Sequence, residues 1–237
     1  MRALLLATAA LFAFAGTAQA VIVNATDIGA SGTTSIQGFV DVNNVAVPIP
    51  GLTASLFLQF DGVTGNTWNF DYTITNTSSG NISTARLSSF GLATTPDPIA
   101  ASSTGLYQYA IVNPSFPNVG GAGQNIDVCF GSSPGTCSGG NGLLPGQSAS
   151  GEFDLTFAMA LSSLSLDSAF ARFQSINSGP PFNFAGASGV GINNDLSINP
   201  VDINPVPLPA AAWMFLAGIA GLGVLARKKK QAALKAA

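Results

Sequence analysis

The sequence predicts an all-β fold: an antiparallel β-sandwich ectodomain with an N-terminal signal peptide and a C-terminal transmembrane helix. Three observations predict it. Apolar and polar residues alternate with a period of two in several runs, which places one set of side chains on each face of a strand. Gly/Pro/Asn/Ser clusters punctuate these runs at 94–98, 113–123, 131–146 and 179–191. Long helix-forming stretches are missing from the middle of the chain, so no crossover helices are available for a parallel sheet.

The elements follow in chain order. Arg2 gives a positive n-region, residues 3–15 an apolar h-region, and Ala18-Gln19-Ala20 a small-x-small site. Together they read as a signal peptide over 1–20, cleaved after Ala20. An ectodomain over 21–198 comes next. In it Leu56, Leu58 and Phe60 face one way, and a turn runs from Asp61-Gly62 to Gly65-Asn66. Trp68, Phe70, Tyr72 and Ile74 then alternate with Asn69, Asp71, Thr73 and Thr75. The two runs predict an antiparallel hairpin with one buried face. Further strands are expected over 84–92, 106–112 and 125–130. In the second of these Tyr107, Tyr109 and Ile111 share a side, and in the third Ile126, Val128 and Phe130 do. Residues 152–160 repeat the strong pattern, with Phe153, Leu155, Phe157 and Met159 inward. Residues 166–176 are ambiguous, because Phe170 and Phe173 have the spacing of a helix turn.

The last segment has three parts. Asn199 to Pro205 is an extended stalk, and Val206-Pro207-Leu208-Pro209-Ala210 is a proline-spaced motif. The run 210–226 is uncharged and apolar, and Arg227-Lys228-Lys229-Lys230 closes it. As a helix the run is about 25 Å long, enough to reach most of the way across a bilayer core of about 30 Å. Trp213 lies at one interface, and the cations favour the cytoplasmic side.

Charge is unevenly spread. The chain has 11 acids and 8 bases. Arg2, Arg227, Lys228, Lys229, Lys230 and Lys235 lie in the terminal signals. Arg86 and Arg172 are therefore set against all eleven acids, a net charge of −9 between the signals. Nucleic-acid affinity draws on Lys and Arg, so no nucleic-acid partner is expected. The chain has no histidine, which removes Ser-His and Cys-His catalysis and imidazole metal ligation. An ion pair across strands is the expected role of each arginine.

Cys129 and Cys137 flank the turn Gly131-Ser132-Ser133-Pro134-Gly135. In an exported segment they are expected to form a structural disulfide, and alternation puts Cys129 opposite the core, where the bridge would staple a surface loop. The turn also fits the pattern G-x-S-x-G, but without a histidine base it reads as a turn. No cofactor is expected. Asn193, Asn194, Asp195, Asn199 and Asp202 offer oxygens of the kind Ca²⁺ takes, but the EF-hand spacing is missing, and an Asx-rich turn before the stalk is the expected role, with a weak Ca²⁺ site as the other reading. Glu152 and Asp154 lie two apart on one outer face. Core packing is the expected role of Tyr107 and Tyr109, with stacking on sugar rings as the other reading.

The tripartite tail, from Val206 to Lys230, resembles the PEP-CTERM sorting signals of Gram-negative bacteria in the VPLPA form. Leu208 stands where that family has its eponymous Glu. The resemblance implies an exosortase as partner, acting near the proline motif, with inner-membrane anchoring of a periplasm-facing precursor before release to the cell surface or matrix. Exopolysaccharide is a further partner the resemblance implies. Asp127-Val128-Cys129-Phe130, Cys137 and Arg172-Phe173-Gln174-Ser175-Ile176 also resemble the cistern group of these proteins. The expectation is a non-enzymatic exported surface or extracellular-matrix protein. A carbohydrate-binding or adhesive module is the other reading.

Overall fold

The computed structural model describes residues 20–43, 45–114, 126–137 and 139–193. Eleven strands lie among them: β1 (Val21–Asn24), β2 (Ser31–Val42), β3 (Val45–Thr64), β4 (Thr67–Asn76), β5 (Ile82–Thr95), β6 (Ala100–Ser103), β7 (Tyr109–Val112), β8 (Val128–Gly131), β9 (Ser148–Thr156), β10 (Ser163–Ser178) and β11 (Ala187–Asn193). A 3-10 turn, Gly105–Tyr107, precedes β7. All pairings are antiparallel, in the order β6-β9-β4-β3-β2-β11-β10-β5-β8-β7, with β1 added beside β10.

The β3–β4 hairpin forms where the alternation predicts it. Leu56, Leu58 and Phe60 stand opposite Ile74, Tyr72 and Phe70, and all six are fully buried. Rings from β5 and β8 meet rings from β4 and β9 across the core. Phe90 lies 4.9 Å from Tyr72 and Phe130 lies 4.7 Å from Phe153, centroid to centroid. The strands thus make two layers around one core. They do not make two separate sheets, because β2 and β11 carry the hydrogen-bonded ladder from one layer into the other. The ladder has a register shift between Gln37 and Phe39, at Gly38. A side chain there would meet Leu52 at 2.5 Å, so glycine permits the close turn of the sheet. The end strands β6 and β7 approach each other, leaving the sheet nearly closed.

One ambiguity is resolved and three expectations need correction. Residues 166–176 are strand, within β10. Phe170 and Phe173 are three apart, so a period of two sends them to opposite faces. Phe173 joins the main core, while Phe170 joins a second cluster with Ala93, Ile126, Cys129 and Cys137. Ile126 therefore does not share a face with Val128 and Phe130. The strand begins only at Val128, and at Asp127 the chain bends, with the carboxylate accepting the Thr94 N–H at 2.7 Å. Met159 is 69% exposed, because β9 ends at Thr156 and the chain turns away after Phe157. Tyr107 belongs to the 3-10 turn rather than to a strand, and its ring is buried edge-on to Phe90.

The C-terminal helix over 210–226 lies outside the described residues. Among the described residues no helix is long and apolar enough to cross a membrane.

Candidate functional site

The outer face of β3, β4 and β9 is built from the polar half of the alternation. Cross-strand rows of side chains run over it. Thr67 pairs with Thr156 at 2.9 Å, Thr73 with Ser150 at 2.7 Å and Thr75 with Ser148 at 2.8 Å, each hydroxyl to hydroxyl. The amide of Asn69 donates to Asp154 at 2.6 Å, and the Ser102 hydroxyl donates to the other oxygen of Asp154 at 2.8 Å. Such pairs hold the face in register and satisfy most of its polar groups.

A groove of about 380 Å³ opens on this face, lined by Phe57, Asp71, Thr73, Thr104, Ser150 and Glu152 among others. Asp71 stands directly opposite Glu152 in the β4–β9 register. The Asp71 carboxyl is raised above its ordinary value, first by burial and then by the charge and hydrogen bond of Asp61. Phe57 is a half-buried ring in a row otherwise made of Thr33, Thr73 and Ser150. Beneath the groove the Tyr72 hydroxyl donates to the Thr104 carbonyl at 2.9 Å. Burial raises the Tyr72 hydroxyl above its ordinary value and keeps it neutral.

The expected residues are distributed as follows. Glu152 enters the groove with Asp71 rather than with Asp154, which Asn69 and Ser102 hold in the next row. Tyr107 offers no face to a sugar, because it is fully buried and its hydroxyl donates to the Leu87 carbonyl at 2.6 Å. Tyr109 is half-buried on β7. Phe57 is the groove aromatic that the sequence reading missed. The signal was its position as the single apolar residue on the polar side of the 56–60 run.

The second layer carries both arginines. Arg86 donates to the Gly140 carbonyl and, at 3.4 Å, to the Ser175 hydroxyl. Arg172 is half-buried beside Ser89 and Val190, and its Nε has no acceptor. Burial lowers its guanidinium below the ordinary value. Neither arginine makes the expected ion pair among the described residues, because its neighbours across the strands are Gln174, Ser89 and Val190 rather than carboxylates.

Cys129 and Cys137 are bonded, with 6.1 Å between Cα atoms. Cys129 does face away from the main core, as alternation requires. The bridge is nevertheless buried, because Ile126 and Phe170 pack over it. Within the loop it closes, Ser132 of the G-x-S-x-G stretch donates to the Asn141 carbonyl at 2.6 Å, which ties that stretch to the segment that follows it.

Ala20 is exposed, and β1 begins at the next residue. Val206, Pro207, Leu208, Pro209, Ala210, Arg227, Lys228, Lys229 and Lys230 lie outside the described residues, as do Asn194, Asp195, Asn199 and Asp202 of the calcium set. Asn193 donates to the Thr34 hydroxyl at 2.7 Å. Among the described residues no group of three or more His, Cys, Asp or Glu side chains converges to hold a metal. No protein-family model matches the chain, and no curated protein matches it.

Proposed function

We propose that the chain is an exported, non-enzymatic surface or matrix protein, sorted by an exosortase through its C-terminal tail. One observation carries the reading. A proline-spaced motif, a 17-residue apolar run and a four-residue basic cluster follow one another in the last part of the chain. A buried disulfide supports an oxidising destination. The start of β1 directly after Ala20 fits a cleavage that leaves β1 whole. Intact-mass analysis of the protein recovered from the envelope and medium tests the reading. The expected mass begins at Val21 and ends near Pro209. Recovery of the whole apolar run in the mature surface form counts against exosortase processing.

A second reading is favoured by the groove. Phe57 offers a ring face, while Asp71, Glu152, Thr73 and Ser150 offer oxygens to sugar hydroxyls. On this reading the exported domain holds a saccharide on the outer face of β3, β4 and β9. A glycan array with the wild-type chain and Phe57→Ala tests it. Binding that depends on Phe57 supports it; no binding by the wild-type chain, with or without calcium, removes it.

A further inference from the structure

We propose that removal of the leader creates an ionic contact that the precursor lacks, between the new α-ammonium of Val21 and the carboxylate of Asp167. The place of cleavage rests on the export reading above; the contact itself rests on strand register. Hydrolysis of the Ala20–Val21 amide adds the hydroxyl of water to the Ala20 carbonyl carbon and its hydrogen to the Val21 nitrogen. At neutral pH that nitrogen takes a further proton and becomes a cation.

The register fixes where this cation lies. Val21 stands opposite Leu166 in the β1–β10 pairing. The same register continues to Ala25, whose N–H donates to the Ser162 carbonyl at 2.9 Å. Hydrogen-bonded pairs recur at every second residue of an antiparallel ladder, so Val21 and Leu166 are such a pair. The Val21 nitrogen therefore points at the Leu166 carbonyl of β10, one residue from Asp167.

The hydrogen-bond partners of Asp167 are uncharged. Its oxygens accept from the Ser165 hydroxyl at 2.6 Å and the Thr95 hydroxyl at 2.7 Å, both neutral. The charged groups around it are of its own sign. Leu166 pairs onward with Thr94 of β5, whose N–H donates to Asp127. The Asp127 carboxyl is raised, first by burial and then by Asp97 and Asp167. Asp27 sits at the far end of β1, bound to Asn24. Arg172 lies five residues along β10, and Arg86 is turned to Gly140. The new ammonium is thus the cation that this end of the sheet gains on maturation.

The composition makes the contact unusually easy to read. Between the two terminal signals there is no histidine and no lysine. Neither cysteine is free. The α-ammonium is then the one group of this region whose ordinary pKa, about 7.7–8.0, lies near neutrality. A carboxylate partner raises its pKa in the folded state. Its contribution is then fully present below the unfolded pKa and is lost as pH rises through the folded one.

The test uses the full chain beginning at Val21, purified in detergent micelles. Its melting temperature is expected to fall by about 2–4 °C between pH 7 and pH 9.5 at low salt, the shift that one modest charge contact produces in a domain of this size. Asp167→Asn is expected to flatten that slope. So is a leader-retaining chain with bulky residues at Ala18 and Ala20. A flat profile in the Val21 chain, or an unchanged slope in Asp167→Asn, overturns the contact. Should Asp167→Asn fail to fold, a ¹³C titration of the dimethylated α-amine decides instead. A pKa above the ordinary range supports the contact, and an ordinary value overturns it. N-terminal sequencing of the chain recovered from cells separates the two claims. A start elsewhere than Val21 overturns the maturation step together with the cleavage point. A flat profile with Val21 confirmed overturns the contact alone.

Discussion

The two layers of the sheet begin from the same alternation and finish differently on their outer sides. Outside β4 and β9 every second residue is polar, and the rows Thr67–Thr156, Thr73–Ser150 and Thr75–Ser148 are joined by hydroxyl-to-hydroxyl bonds. Outside β5, β8 and β10, the chain folds back over the strands. Ser89 donates to the Cys137 carbonyl, Ser132 to the Asn141 carbonyl, and Cys129, Ile126 and Phe170 form a second apolar cluster. The first face is stabilised by many weak, replaceable pairs and is free to meet a ligand. The second is stabilised by a covalent staple and by burial. A period of two tells which side chains point away from the core; it does not tell whether solvent or another segment lies there.

The largest effect that sharpens this contrast is loss of the staple. Replacing Cys129 and Cys137 together with serine is expected to cost about 2–3 kcal/mol in urea denaturation, the chain-entropy value for so short a loop. Dye binding should report exposure of Ile126 and Phe170. Thr73→Ala on the other layer is expected to cost under about 1 kcal/mol. Equal costs would erase the distinction between the faces. Gly91→Ala comes next, at about 1–3 kcal/mol by the same measurement. Gly91 lies under the second cluster, where a Cβ would meet the Ile126 side chain at 2.2 Å and the Val128 carbonyl at 2.6 Å. The carbonyl belongs to the paired backbone of β8, so a rotamer change alone cannot make space. A neutral Gly91→Ala would mean that the cover is loose.

The open layer was readable in the sequence and the covered layer was not. Strands β4 and β9 keep strict alternation because one neighbour is core and the other is water, and each position obeys a single demand. The β3–β4 hairpin, the inward set of Phe153 and Leu155, and the polar rows all follow from that. Over 87–94 of β5, 128–131 of β8 and 169–171 of β10 both faces are buried. Phe90 and Cys129, Ala171 and Phe170 are all apolar for different reasons, and the alternation blurs. That is why residues 166–176 are ambiguous between strand and a short helix, and why alternation alone puts Ile126 on the wrong face. The groove was half legible. Glu152 stood out as the one glutamate, but its partner across the strands comes from β4, and register is not written in a single strand.

Arg172 offers a smaller effect of the opposite sign. It lies on the covered layer with its Nε buried and unmatched, and burial disfavours its charge. Replacing a poorly partnered buried charge with an apolar side chain of similar length removes the desolvation cost and keeps the packing of the stem. Arg172→Met is therefore expected to leave stability unchanged or raise it by up to about 1 kcal/mol, measured by urea midpoint at constant slope. A loss above about 2 kcal/mol would show that the guanidinium holds the cover in place and that the second layer depends on a polar anchor as well as the cystine.

The smallest effect tests the open layer through its charge. Asp71 is flanked in register by Gln59 and Glu152, and its carboxyl is raised by burial first and by Asp61 second. A carboxyl whose folded pKa is raised costs stability wherever it is ionised in the fold. That cost is relieved as pH falls through the folded pKa and is gone below the unfolded one. The side chain is largely solvated, so screening keeps the energy to a few tenths of a kcal/mol at most. Asp71→Asn is expected to stabilise slightly at pH 7, to lose that advantage on acidification toward pH 4, and to lose it also in molar salt. A destabilised Asp71→Asn at pH 7 would mean that the ionised carboxylate accepts bonds an amide cannot replace. The open face would then be organised around its charge rather than around its hydroxyl rows.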